Sequence, residues 1–154
     1  MNIFYLDNDP KICAQMHNDK HCIKMILEYA QLLSTAHRVI DGTESVRLSK
    51  IGRKQKWFSL SDDRESVLYS ATHINHPSAI WVRQSQQNYI WLYVLWINLM
   101  KEYTYRYGKN HKCEFLIKHL SRLPKYIPHE PAFTEPTPAM PDDVKVSGDS
   151  IASY

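Results

Sequence analysis

Six polar side chains between positions 21 and 38 recur at alternating spacings of three and four residues: His21, Lys24, Glu28, Gln31, Thr35 and Arg38. On an α-helix this spacing draws one continuous polar stripe down one side. A carboxylate flanked by a histidine and a lysine can move protons or stabilise positive charge at a bound molecule. Glu28, at the centre of the stripe, is therefore the first candidate for chemistry.

The rest of this helix is apolar, which predicts that it is largely buried and that an unpaired charge on it would be costly. Two interpretations of the stripe follow. It either faces solvent, as charged positions usually do, or lines a pocket with Glu28 at its centre. In the first case Lys24 and Glu28 form an exposed ion pair across one helical turn, which contributes little to stability.

A basic segment between Thr43 and Leu60 is the second candidate site. It carries five cationic side chains within ten residues and no acid among them: Arg47, Lys50, Arg53, Lys54 and Lys56. Trp57 and Phe58 follow immediately. The pattern is typical of an irregular loop that contacts phosphates, with aromatic rings that stack or wedge against bases. A solvated loop anchored by Trp57 explains it equally well.

Metal and nucleophile motifs are missing from the sequence. The histidine pairs His17–His21 and His73–His76 have helical spacing, but no further ligands complete a recognised zinc pattern. The serines form no nucleophile elbow, and the four glycines form no phosphate-binding loop. We therefore expect neither a metal nor another cofactor.

Composition bounds the class of protein. The 154 residues are 44% apolar and 12% aromatic, which predicts a folded domain with a real core. The net charge of +3 does not by itself require a nucleic-acid partner. The start of the chain has no secretory pattern, and the most apolar run, over 89–100, is too short to cross a membrane. An odd number of cysteines suits a reducing compartment, so we expect a cytoplasmic monomer without membrane contact.

Start and stop residues predict the elements that position these candidates. Asp9-Pro10 begins a short helix that ends near His17. Asn18 or Asp19 caps the long helix that carries the stripe, and Asp41-Gly42 ends it.

The second half of the chain predicts two more helices and an extended segment. A turn over 70–77 precedes a long helix over 78–107, and a further helix covers 111–123. Prolines from Pro124 to Pro141 then forbid regular structure, and interleaved apolar residues suggest a strap on the body. The predicted fold is mainly α: a three-helix single domain over 1–143 with an irregular basic loop and a proline-rich C-terminal strap, followed by a polar tail over 144–154.

Three groups of residues, in order along the chain, resemble a known family. They are Asp19, His21 and Glu28 at the start of the long helix, Arg106-Tyr107-Gly108 at the end of the next, and the pentapeptide over 126–130, YIPHE. This arrangement is similar to the pyrimidine-dimer DNA glycosylase/abasic-site lyase family of the T-even phages. The resemblance covers scattered positions within residues 1–130.

The resemblance implies that the chain's own α-amine is the nucleophile and that Glu28 is the key carboxylate. Asn2 predicts retention of the initiator methionine, which makes the Met1 amine the candidate. His21 would contact DNA or orient a neighbour, while Lys20 and Lys24 would supply positive charge. Double-stranded DNA with damaged or modified pyrimidines would be the substrate.

The chemistry of that site is physically sound. An α-amine has a pKa of about 7.7–8.0 against about 10.4 for lysine, so a useful fraction is uncharged at neutral pH. It can attack the sugar C1′, expel the base and form an imine. A nearby carboxylate stabilises the cationic sugar and moves protons during strand cleavage.

Departures from the family pattern keep two alternatives open. The family places arginines on the helix face where this chain has Leu27 and Gln31, and another where it has Asn2. The chain could instead be a non-enzymatic helical module that binds DNA or protein. It could also be an enzyme on free nucleotides, with Lys24 and Glu28 in a closed pocket.

Overall fold

The computed structural model describes residues 2–136, and this part of the chain is mainly helical, as predicted. Within it lie five α-helices: α1 (Pro10–Met16), α2 (Asp19–Asp41), α3 (Pro77–Arg83), α4 (Gln86–Tyr107) and α5 (Ile117–Leu120). Two antiparallel strands, β1 (Thr43–Leu48) and β2 (Lys54–Ser59), form a hairpin between α2 and α3. Short 3₁₀ turns cover Asp63–Ser66 and Lys112–Leu116. The predictions of three helices and of an irregular basic loop are therefore wrong, because further breaks and a hairpin divide the chain.

The first two helices begin and end where the sequence indicates. The Asp9 side chain accepts a hydrogen bond from the Lys11 N–H at 2.9 Å, and the Asn18 side chain accepts one from the His21 N–H at 2.8 Å. α2 ends at Gly42, where a Cβ atom would collide with the carbonyl oxygen of Arg38. Glycine therefore lets the chain turn tightly from α2 into β1.

The predicted helix over 78–107 is two helices, because the chain breaks at Ser85. This residue is extended, with φ of −157°, and its hydroxyl accepts a hydrogen bond from the Asn88 N–H at 3.3 Å. The Asn88 side chain donates to the Trp81 carbonyl at 3.0 Å. Both side chains thus replace helical backbone bonds, a role that serine and asparagine often take.

The predicted helix over 111–123 is also shorter than expected. His111 caps it by accepting a hydrogen bond from the Cys113 N–H at 3.0 Å. A 3₁₀ turn then leads into the single α-turn of α5.

α2 and α4 form the centre of the core. Their facing sides are fully buried, including Ile26, Leu33, Leu92, Leu95 and Leu99. The buried Trp96 indole donates to the Ile26 carbonyl at 3.0 Å and so joins the two helices. No helix within residues 2–136 combines the length and apolarity that crossing a bilayer requires.

The described part of the proline-rich strap lies on the helices. Ile127 is buried, and the Trp81 indole donates to the Thr134 carbonyl at 2.9 Å. The Phe133 ring packs 5.9 Å from the ring of Trp91. Met1, the strap beyond residue 136, the boundary at 143 and the tail over 144–154 lie outside the described residues.

Candidate functional site

The polar stripe of α2 has two different environments. Lys24 is largely exposed at 62%, and Glu28 is partly exposed at 19%. Seven residues further along, Thr35 is buried, and so is Arg38. The first half of the stripe is therefore open to a ligand, whereas the second half is covered by protein.

The N-terminal segment over residues 2–6 lies against the open half of α2. The Phe4 ring stacks on His21 with 4.2 Å between centroids, and the Phe4 N–H donates to the Tyr29 hydroxyl at 3.2 Å. Ile3 and Tyr5 are each buried. The start of the described chain is thus fixed beside the residue that follows Glu28.

A buried histidine holds Tyr29 in place. His17 donates from Nδ1 to the Cys13 carbonyl at 2.8 Å, so its Nε2 accepts from the Tyr29 hydroxyl at 2.8 Å. Burial lowers the pKa of His17 to about 4. The sequence gives no sign of this hydrogen bond, because His17 and Tyr29 are twelve positions apart and follow no common helical spacing.

Glu28, Lys24 and His21 share the open surface. The Lys24 ammonium lies 3.9 Å from the Glu28 carboxylate. Desolvation, together with the charges of Lys20 and Lys24, lowers the pKa of His21 and outweighs the opposing effect of Glu28. The site therefore presents a carboxylate, a cation and an imidazole that is mostly neutral at pH 7.

Arg38, at the covered end of the stripe, has a structural role. Its guanidinium directs all five N–H donors at acceptors 2.7–3.0 Å away. Four are backbone carbonyls, and the fifth is the Glu65 carboxylate at 2.8 Å. This single side chain fixes the segment between β2 and residue 69 against α2.

A second buried network surrounds His37, next to Arg38. His37 donates from Nε2 to the Tyr89 hydroxyl at 2.8 Å, and its Nδ1 accepts from Arg64 at 3.0 Å. Arg64 also binds the Asp41 carboxylate at 2.7 Å. Burial, followed by the positive charge of Arg64, lowers the pKa of His37 to about 4.

These two histidines predict a loss of stability in mild acid. Between pH 6.5 and 4 the unfolded chain takes up protons at His17 and His37 while the folded chain does not. Stability is therefore fully present above pH 6.5 and falls as the pH drops towards 4. Each histidine contributes up to about 3 kcal/mol. Urea unfolding at a series of pH values measures the effect.

An exposed histidine provides the control for this experiment. His73→Asn should leave the pH dependence of unfolding unchanged, because His73 is exposed. His37→Gln should flatten part of the curve. A wild-type free energy of unfolding that stays constant between pH 6.5 and 4 would contradict the prediction.

The basic residues predicted to bind DNA lie on the hairpin, where all are exposed: Arg47, Lys50, Arg53, Lys54 and Lys56. Trp57 is half-buried at its base, with the Arg47 guanidinium 4.5 Å from the ring centroid. Trp57 therefore anchors the hairpin, and its contact with DNA stays a prediction. Lys20, on α2, is also exposed.

A surface cavity of about 440 Å³ lies between β2 and the turn over 70–75. Lys56 and Trp57 line one side, and His73 and Asn75 belong to the other. The turn is joined to the stripe because the Thr72 N–H donates to the Thr35 hydroxyl at 3.2 Å. The turn over 70–77 was predicted from the sequence, but the contact of Thr72 with Thr35 of the polar stripe was not.

Helix geometry relates this cavity to Glu28. Residues 28 and 35 are two turns apart, on the same face of α2 and separated by about 10 Å. The hairpin, the cavity and the open half of the stripe therefore follow one another along one side of α2.

The residues that carry the family resemblance also have structural partners. Arg106 binds Asp19 at 3.1 Å and so connects the end of α4 with the start of α2. Gly108 ends α4 in the left-handed conformation, with φ of 69°. The Pro128 carbonyl accepts a hydrogen bond from the Gln86 N–H at 2.8 Å. These contacts give the residues a structural role in the fold and do not assign a chemical role to them.

Comparisons of the chain with protein-family models, curated proteins and solved structures found no match in any of the three.

Proposed function

We propose that the protein binds double-stranded DNA and acts on it as a glycosylase and abasic-site lyase, with the Met1 α-amine as nucleophile and Glu28 as the catalytic carboxylate. The observation that carries this proposal is the position of the N-terminal segment. Phe4 is held on α2 by His21, which belongs to the same polar stripe as Glu28, and by Tyr29, the residue that follows Glu28. In the sequence, two residues separate Met1 from Phe4.

The lyase reaction would use these groups in a defined order. The uncharged amine attacks C1′ of the abasic sugar, and loss of water gives an imine. Glu28 accepts the C2′ proton, the electron pair forms a C2′–C3′ double bond, and the C3′–oxygen bond breaks. Water then hydrolyses the imine and restores the amine. On a damaged nucleotide, the amine first displaces the base from C1′.

The surroundings of Glu28 suit this chemistry. The ammonium of Lys24 and the side chain of Lys20 would attract phosphates, whereas His21 stays largely uncharged and does not compete for the carboxylate. The exposed cations of the hairpin would hold the duplex further along the same side. The cavity beside Trp57 offers room for a displaced nucleotide.

Borohydride trapping on abasic DNA tests the proposal. The imine should be reduced to a stable covalent adduct of one chain with one oligonucleotide. Acetylating the N-terminus at mildly acidic pH, where lysines remain protonated, should abolish the adduct.

Lys24→Met provides the matched control, because the Lys24 amine lies 3.9 Å from the Glu28 carboxylate and could be trapped in place of the Met1 amine. It should still be trapped. If no adduct forms, or if the adduct survives N-terminal acetylation, the proposed nucleophile is wrong.

A non-enzymatic DNA-binding module is the second candidate. The observation that favours it is the concentration of exposed cations on the hairpin, whereas Glu28 has uncharged Leu27 and Gln31 near it on α2 in addition to Lys24. In that case duplex binding would depend on Arg53 and Lys54 and would be unaffected by Glu28→Gln.

A further inference from the structure

The turn of the hairpin has a defined conformation. The Ser49 N–H donates to the Arg53 carbonyl at 2.7 Å, and the Gly52 N–H donates to the Ser49 carbonyl at 2.9 Å. Gly52 has φ of 80°, so the three-residue connection ends in a left-handed glycine, a common hairpin geometry. The side chains at this end are therefore presented in a fixed arrangement.

The outer half of the hairpin has two unlike faces. Val46 pairs with Lys56, and Leu48 pairs with Lys54, so apolar side chains and lysines share one face. Arg47 lies on the opposite face and covers Trp57.

Apolar side chains on this hairpin are strongly exposed. Val46 is 65% exposed and Leu48 71%, while Ile51, in the turn itself, is 76% exposed. Three such residues together on a projecting ribbon indicate a surface that contacts a partner. Around them, no acidic residue occurs between Arg47 and Trp57.

The charge of the hairpin identifies the chemistry of that partner. Lysine and arginine side chains around an apolar centre complement a polyanion that also has an apolar interior. Duplex DNA fits this description, with phosphates outside and stacked bases within. The exposed face carries valine and leucine beside lysines, and this combination of apolar side chains with cations is the one that minor-groove binders use.

We propose that the hairpin is an arm that enters the minor groove of duplex DNA, where its cations bind phosphates and Ile51 wedges between adjacent base pairs. Apolar wedges of this kind unstack a base step and bend the duplex. The inference takes its partner from the proposed function but does not depend on the lyase chemistry. Bending would also expose the sugar on which that chemistry acts.

Fluorescence of a duplex that carries 2-aminopurine and an end-to-end energy-transfer pair tests the wedge. The wild-type chain should raise the 2-aminopurine signal and shorten the end-to-end distance. Ile51→Ser should lower duplex affinity about tenfold and abolish both signals, because it removes the wedge and leaves every charge. Ile90→Ser, which changes an exposed isoleucine outside the hairpin, is the matched control and should behave like the wild type.

Charge removal tests the phosphate contacts separately. Replacing Lys50, Arg53 and Lys54 with glutamine should reduce the slope of log affinity against log salt by about three. Circular dichroism and thermal unfolding should show that each variant is folded.

Three outcomes would overturn the arm. The first is an Ile51→Ser variant that unstacks and bends DNA like the wild type. The second is an unchanged slope of log affinity against log salt in the variant that lacks Lys50, Arg53 and Lys54. The third is a set of hairpin variants that lose binding to phosphatidylglycerol vesicles but not to DNA. Trapping on single-stranded abasic DNA, which has no groove, tests the lyase on its own. DNA bending without a trapped adduct would therefore reject the lyase mechanism and support the hairpin arm. A trapped adduct without DNA bending would support the lyase mechanism and reject the hairpin arm.

Discussion

Replacing Glu28 with glutamine is expected to slow strand cleavage at an abasic site by about 10²- to 10⁴-fold, the range that a positioned acid or base provides. The amide has nearly the same shape but neither accepts the C2′ proton nor stabilises a cationic sugar. Because the Glu28 side chain is only 19% exposed, water has little access to this position and is a poor substitute for the carboxylate as the base. Single-turnover cleavage of an oligonucleotide with one abasic site measures the rate.

Two controls separate chemistry from structure in this experiment. The melting temperature of Glu28→Gln should stay close to that of the wild type, because the ion pair with Lys24 is long at 3.9 Å and half in solvent. Lys24→Met removes the same ion pair and should retain most of the cleavage rate. Equal losses of rate in the two variants would assign the effect to the ion pair and contradict the role of Glu28.

Replacing Arg38 with methionine is expected to lower the free energy of unfolding by about 3–5 kcal/mol, the cost of breaking a buried, fully paired charge. Arg38 is 2% exposed, and its loss would remove a donor from four carbonyls and from the Glu65 carboxylate, which would keep the hydrogen bond from the Leu60 N–H. Methionine keeps much of the volume, so the effect reports on the hydrogen bonds. Urea denaturation followed by circular dichroism measures it.

Arg47 provides the comparison, because both guanidinium groups lie over the Trp57 ring, that of Arg38 at 5.6 Å and that of Arg47 at 4.5 Å from its centroid, but Arg47 is exposed. Arg47→Met should change the free energy of unfolding by less than about 1 kcal/mol, as expected for an exposed cation–π pair. If both variants were destabilised equally, the hydrogen bonds of Arg38 would not be the source of stability.

The helices with strong end signals could be predicted from the sequence. The ends of α1 and α2 lie at residues whose types favour the start or the end of a helix: Asp9-Pro10, Asn18 and Gly42. The break at Ser85 could not be predicted in this way. It is supported by the hydrogen bond from the Asn88 side chain to the Trp81 carbonyl in α3 and by the hydrogen bond from the Gln86 N–H to the Pro128 carbonyl in the strap. Such bonds have no signature in local sequence.

The hairpin escaped prediction because it lacks the usual alternation. In β1 only Val46 and Leu48 are apolar at alternate positions, and in β2 the aromatic residues Trp57 and Phe58 are adjacent, so the sequence shows no sustained alternation. The dense positive charge dominated the pattern and suggested an irregular loop. The exposed apolar residues, above all Ile51, were therefore overlooked.

The polar stripe shows how far the candidate site could be predicted from the sequence. Spacing placed Glu28 and Arg38 on one face of a helix, and that is where they lie. It could not distinguish a residue open to a ligand from one covered by protein, because the acceptors of Arg38 are mostly backbone carbonyls. Any residue type can supply those.

The pairing of Thr43 with Ser59 has a consequence for engineering and for divergence. Since paired strands lie about 5 Å apart, the ribbon leaves the body and returns to it at almost the same point. The portion beyond the pair of Arg47 and Gln55 can therefore be lengthened, trimmed or exchanged for a foreign loop without moving the helices. Chimaeras made at this pair would exchange the exposed tip of the hairpin and leave the helical scaffold unchanged.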